Sequence, residues 1–322
     1  MTPSTPRGAT DDRHAADRVA HDPMLGAAVA SGGGGVPEAL HTVRRRPGAA
    51  ERDPKGSARR WRMLEIGLAA GVPLLLILLW QIAASRAWID PKLYPSPTTL
   101  VTKGRDLFES KPGGHMGDDL WRSVQRILWG YFWGALFGLA FGIVMGMSRV
   151  VRAALDTTLT ALYTVPKLAL IGVFLLILGF GESPVIVVIA LTVFFFVWIQ
   201  TMAAIMSVAP FYREAAQSFG ANRWQLFRHV LLPAALPQIF VGLRVAAGVT
   251  VLTVIGVEFV YPPSNLGLGY RINNARQILD PAQMYVAIVL ASILGVVFTW
   301  IVRFVGRRLS PWSREDQGSP MT

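Results

Sequence analysis

Residues 212–239 read YREAAQSFGANRWQLFRHVLLPAALPQI. Glu214, Ala215 and Ala216 open a good helix, and Gly220 offers a break in it. From Ala221 to Leu232 runs a second amphipathic stretch. Trp224, Phe227, Val230 and Leu231 fall on it at helical spacing, while Arg223, Gln225 and Arg228 take other faces. Pro233 is expected to end this helix. Ser207 to His229 is too polar to lie in lipid, yet apolar runs flank it on both sides. The reading that follows is a bent pair of short helices held between two membrane spans, in an all-α polytopic bundle. Two uses of the pair are open on the residues alone. It can be an interfacial helix lying among headgroups, or a compact knob that a partner protein grips and whose displacement reaches the adjoining spans.

Working outward, the spans are found by length, because crossing the hydrocarbon layer takes about 20 helical residues with every backbone hydrogen bond closed internally. LEIGLAAGVPLLLILLWQIAA at 64–84 is the first, interrupted by Pro73. A polar loop from Ser85 to about Arg122 follows, with a short amphipathic helix at its end. The second span runs from Val124 to Met147. In it Gly130, Gly134, Gly138, Gly142 and Gly146 recur every four residues and line one helical face. Such a face serves close helix packing or lines a pore. The third runs from Thr157 to Gly179 and contains Pro166, which suggests a bend, and Lys167. A lysine at the bilayer centre costs about 2.5–3.5 kcal/mol, so Lys167 is expected to face the bundle interior or a water-filled path, or else to sit at an interface beside a shorter, shifted span. The fourth, fifth and sixth spans cover Val185–Met206, Ile239–Val260 and Ala282–Phe304, with a second polar loop at 261–281. Six spans put both termini on one side.

Composition agrees with a membrane protein: 52% of the 322 residues are hydrophobic and 16% charged, and the mean hydropathy is +0.42. The net charge of +11 falls on connections between spans, so it points to the bilayer surface and not to nucleic acid. Arg59, Arg60, Arg62, Arg149, Arg152, Arg213, Arg223, Arg228, Arg303, Arg307, Arg308 and Arg314 lie on the side of the termini. Opposite connections hold Arg86, Lys92, Lys103, Arg105, Arg271 and Arg276, balanced in part by Asp90, Asp106, Glu109, Asp118, Asp119 and Asp280. This bias puts both termini and the segment 207–233 in the cytoplasm. Residues 1–60, with Gly32–Gly35 and Arg44-Arg45-Arg46, have too few large apolar side chains to offset the entropy of ordering and are expected to be a disordered cytoplasmic tail. The membrane domain is then 61–309, and 310–322 a short cytoplasmic tail.

The chain has no cysteine, and its five histidines form no ligand cluster. No G-x4-G-K-[ST] loop is present to cradle nucleotide phosphates. Catalytic, metal and cofactor sites are therefore expected to be absent from this chain. Glu258, near the outer end of the fifth span, is an ionisable residue at membrane depth and so a candidate for the path or a gate, or for a structural bond between helices.

Glu214-Ala215-Ala216, Gly220, Val230, Leu232 and Pro233 resemble the EAA-x3-G-x9-I-x-LP loop of binding-protein-dependent ABC transporter permeases, with valine for the usual isoleucine. LYPSP at 93–97, YTVPKLAL at 163–170, GFGE at 179–182 and SNLGLGYRINNARQ at 264–277 are similar to the sulfonate, taurine, nitrate and bicarbonate branch. Tyr261-Pro262-Pro263 departs from that pattern. The resemblance implies the type I ABC importer permease fold with six transmembrane helices in a bacterial inner membrane. It also implies that Glu214, Ala215, Ala216, Gly220, Arg223, Leu232 and Pro233 couple the chain to a separate ATPase. Two ATP-binding subunits that use ATP, an extracytoplasmic substrate-binding protein and a second permease copy, as a homodimer, are the implied partners. The cargo implied is a small anion such as an aliphatic sulfonate, taurine or nitrate. A secondary transporter or channel working without an ATPase is the alternative class.

Overall fold

In the computed structural model, residues 54–109 and 116–312 are described. The chain divides into two units, Met1–Ala70 and Gly71–Thr322. The first helix, α1 (Pro54–Ser85), begins inside the bound of 60 expected for the tail; the rest of that tail, and the end of the chain from 313, lie outside the described residues. The remaining helices are α2 (Pro97–Glu109), α3 (Met116–Met147), α4 (Arg149–Thr164), α5 (Ile171–Leu178), α6 (Glu182–Met206), α7 (Pro210–Ser218), α8 (Arg223–Leu226), α9 (Leu232–Val260), α10 (Leu268–Gln277) and α11 (Pro281–Leu309). No strand occurs among the described residues.

Five stretches are long and apolar enough to cross a membrane: Met63–Ser85, Met116–Met147, Glu182–Met206, Arg223–Val260 and Pro281–Leu309. A sixth exists only if α4 and the segment Lys167–Leu178 count as one span, and these meet at 85°. The bend expected at Pro166 is thus a full break. Proline lacks the N–H needed to continue the ladder and pushes the preceding residue out of the α region, and Val165 is extended, with φ −64° and ψ 131°. A 3-10 turn over Lys167–Leu170 resumes the helix. The two polar connections are more helical than expected. The amphipathic helix α2 lies in the middle of the first loop, α3 already starts at Met116, and α10 occupies the second.

Packing is closest between α3 and α6. A Cβ on Gly130 would lie 2.3 Å from Ile189 Cγ2, on Gly134 2.4 Å from the Ala190 carbonyl oxygen, and on Gly142 2.5 Å from Thr201 Cβ. The four-residue glycine spacing therefore seats α6 directly on the α3 backbone, which decides for packing over a pore-lining role. Against this pair lies α9, which also contacts α10 and α11. Ala204, Ile205, Ala246, Ala247 and Val254, all fully buried, form the centre of the resulting core. On the other side of α6, Leu155, Leu159 and Tyr163 of α4 pack on Phe195 and Trp198. Where α1 belongs to the second unit it meets its neighbours through Trp80, 6.2 Å from the Tyr285 ring, and through Gln81, bonded to Thr98.

Candidate functional site

The segment between α6 and α9 is an elbow built by local capping. Pro210 opens α7 at a position where its missing N–H costs nothing. The helix closes at Gly220 with φ +77°. Gly220 N–H donates to Gln217 at 2.9 Å and Ala221 N–H to Ala216 at 3.0 Å. This left-handed closure is the one glycine reaches without steric cost. Asn222 and Gln225 then form a reciprocal capping box at the head of α8, each bond 2.9 Å. Pro233 does not end the second helix as expected. The chain passes from α8 through a π turn at Phe227–Leu231 straight into α9, with Pro233 in the first turn of that helix. Proline is tolerated there because the first N–H groups of an α-helix have no partner within it.

Phe227 and Leu231 are buried, while Phe211, Tyr212, Phe219 and Trp224 are exposed by 71, 56, 92 and 63%. Glu214, Gly220 and Arg223 are exposed as well, and Ala215 and Ala216 are half-buried. The elbow is tied back at two points. Arg213 Nη2 donates to the Ile205 carbonyl in the last turn of α6 at 2.9 Å, where a cation is favoured by the helix dipole. Trp312 Nε1 donates to the carbonyl of Pro233 at 3.3 Å. Glu214, Ala215, Ala216 and Gly220 therefore sit on one short helix and its cap, Arg223 on the next, and Leu232 and Pro233 at the entry to α9.

Lys167 and Glu258 lie apart from the elbow and from each other. Lys167 folds back at the Pro166 break and bonds the Tyr163 carbonyl. Its ammonium is 4.3 Å from the centre of the Tyr163 ring and 5.1 Å from that of Phe195, so two π faces replace part of its hydration.

At the end of the bundle away from the elbow, Glu258 enters a cluster that spacing alone did not reveal. It is fully buried. Its carboxylate accepts from Ser123 Oγ at 2.9 Å, from Arg126 Nη1 at 2.8 Å and from the Gly269 N–H at 2.9 Å. Arg126, 2% exposed, makes a two-pronged bond to Glu182 at 2.7 and 2.8 Å. Its other N–H groups reach Ser264 Oγ at 3.1 Å and the Leu266 carbonyl at 2.8 Å. Beside it, buried Asp119 accepts from Gly267 N–H at 2.9 Å and from Arg271 Nε at 2.7 Å. The cluster joins α3, the first residue of α6, the last turn of α9, the segment 264–269 and α10.

Buried ions are tolerated only when their remaining donors and acceptors are satisfied. Here Arg126 uses all three nitrogens on the protein itself, leaving little with which to hold a passing anion. Backbone fit is equally close: a Cβ on Gly267, whose φ is +128°, would lie 2.5 Å from Glu258 Cδ. Asp119, Ser123, Arg126, Glu182 and Arg271 are the site residues that sequence reasoning missed. A signal was available in α3, where Asp119, Ser123 and Arg126 follow at four and three residues on one face, in line with Gly130.

A family profile described as "Binding-protein-dependent transport system inner membrane component" matches residues 134–311. A putative aliphatic sulfonates transport permease protein, SsuC of Escherichia coli (strain K12), is 40% identical over 224 residues, 70% of this chain and 83% of that one. The taurine transport system permease protein TauC of the same organism is 32% identical over 263 residues, 80% and 94% of the two chains. Among solved structures, an inward-facing conformation of the MetNI methionine ABC transporter superposes with a TM-score of 0.50 at 22% identity. That match covers 60% of this chain and 94% of the other, and it shows a shared fold.

Proposed function

The chain belongs to the family of binding-protein-dependent transport system inner membrane components, and on that footing we propose that it is the permease subunit of an ATP-driven importer of small sulfonates. The single observation that carries the coupling role is the elbow. Its exposed aromatic surface is continuous, through the π turn, with α9, which packs against α3, α6, α10 and α11. A partner that moves the elbow therefore moves α9. Aliphatic sulfonates are favoured as cargo, with taurine, itself a sulfonate, next, because the relatives named for them are 40% and 32% identical to this chain over 224 and 263 aligned residues.

In this reading the elbow and both termini face the cytoplasm, as the excess of arginine at that end supports. Two ATP-binding subunits grip the elbows of two permease copies and hydrolyse the ATP. An extracytoplasmic binding protein delivers cargo at the end where Glu258 lies. Differential contact with the elbow in the open and closed states of the ATPase pair shifts the bundle between outward-open and inward-open forms. The cluster around Arg126 and Glu258 holds the outer ends of α3, α6 and α9 together while this happens.

The test is co-expression with the ATP-binding subunit and binding protein of the same operon. Complexes containing this chain should take up an alkanesulfonate into vesicles only with ATP. Phe219→Asp should lose the ATP-binding subunit on purification while remaining membrane-inserted and folded. Uptake without ATP by the chain alone would replace the importer with a channel or secondary transporter. Full retention of the ATPase by the Phe219 variant would move the docking surface elsewhere.

A further inference from the structure

A groove of about 820 Å³ runs between α9 and α11, and the only charged residues in its lining are Arg244 and Arg303. Gly306 of α11 lies against Phe240 of α9, and Gly295 lies against Val251. Arg244 and Arg303 both fall between these two contacts, so the antiparallel helices bring them to the same level. Gly242, two residues before Arg244, packs on Gln200. Gln200 is six residues from the end of α6 at Met206, which sets Arg244 roughly 10 Å inside the bundle. Arg244 is half-buried and has no carboxylate partner among the described residues.

An arginine at that depth is costly unless a counter-ion or water meets it. Arg126 answers the cost with Glu182 and Glu258; Arg244 does not. It stands on a stripe with Gly248 and Leu252, the last 75% exposed, on a helix that also packs against α3, α6, α10 and α11. Thr299 lines the groove near the arginines, and Val251, Leu252 and Ile288 line the remainder. One end of the groove thus offers the Arg244 guanidinium and the other a mainly apolar wall, a match to a short alkyl chain carrying a single anionic head.

We infer that Arg244 is the anion contact of the translocation path, taking the sulfonate oxygens in charge-assisted hydrogen bonds while the alkyl part lies on Val251 and Leu252. Arg303 adds positive charge at the same level. The assignment rests on the importer reading above, and its test separates the two.

Because the chain has no cysteine, Leu252→Cys introduces a single thiol into the groove wall and leaves Arg244 in place. In vesicles carrying the complete transporter, the water-soluble sulfonate reagent 2-sulfonatoethyl methanethiosulfonate should modify that thiol, and ethanesulfonate should slow the reaction. If only a lipid-soluble maleimide reacts, or ethanesulfonate leaves the rate unchanged, the groove faces lipid and the assignment is overturned. In parallel, Arg244→Gln should lower ATP-dependent ethanesulfonate uptake by about tenfold or more, the scale of a lost charged hydrogen bond, with Arg244→Lys recovering part of it. Undiminished uptake by Arg244→Gln overturns the assignment and leaves the importer intact. No sulfonate uptake by the unsubstituted transporter overturns the importer's cargo and this contact with it.

Discussion

At the end of the bundle that holds Glu258, five charged side chains share one largely buried cluster, with Arg126 2% and Glu258 0% exposed. At the elbow, Phe219, Phe211 and Trp224 stand exposed by 92, 71 and 63%. The first region has already made its interactions, so its residues matter to whether the chain folds. The second keeps apolar surface in reserve, and in the importer proposed above its residues matter once a partner is present. An exposed aromatic cluster of this kind marks a surface for a protein partner or a membrane. A saturated ionic cluster marks a fixed joint between helices.

Arg126→Gln should produce the largest effect, because it leaves fully buried Glu258, and half-buried Glu182 beside it, without their counter-charge, a loss of about 3–5 kcal/mol. Thermal unfolding of the purified chain in detergent measures it. A melting point within a degree or two of the unsubstituted chain would mean that water reaches this cluster and that the contrast between the ends is false. Gly220→Val should cost about 1–2 kcal/mol from its left-handed backbone, and should lower ATP-dependent uptake far more than that loss of stability explains. Equal losses in melting and uptake would reduce Gly220 to a stability residue.

The smallest effect belongs to Asp280, at the rim of the joint. Its carboxylate pairs with Lys103 at 2.8 Å and caps α11 through the Gln283 N–H at 3.1 Å. Burial pushes this carboxyl up, but the bonds from Lys103 and the amides outweigh it and hold it below its ordinary value of 3.8. The stabilisation is therefore complete above that value and fades as pH falls through the lower folded one. Asp280→Asn should remove only part of it, about 1 kcal/mol or less, and should flatten the acid limb of the melting profile. An unchanged acid limb would show that the pair does not hold in solution.

The two regions also differed in how well the amino-acid sequence disclosed them. The elbow is local: its helix formers and its glycine lie within 24 residues, 210–233, so their spacing speaks for itself. The glycine face of α3 was legible for the same reason. The ionic joint is not local, since Ser123 and Arg126 reach Glu258 across 135 and 132 positions. Asp119 and Arg271 were weighed as opposing loop charges in the topology count, yet they pair with each other in the interior. Only Glu258 stood out beforehand, because a lone acid in an apolar run is conspicuous where its partners, near the ends of spans, are not. Pro166 announced a bend but not its size, which depends on α4 finding its own surface on Phe195 and Trp198.

The glycine face of α3 has a mechanical consequence. From Gly130 to Gly146 the α3 backbone lies under Ile189, Val193, Val197, Thr201 and Ile205 of α6 over about 24 Å, and these β-branched side chains have little rotamer freedom with which to reshuffle. Together α3 and α6 make a stiff beam. Any stroke applied at the elbow must pivot where the helical ladder is already interrupted, at the Pro166 break and the π turn before α9, and the beam carries that motion to the far end of the bundle without bending.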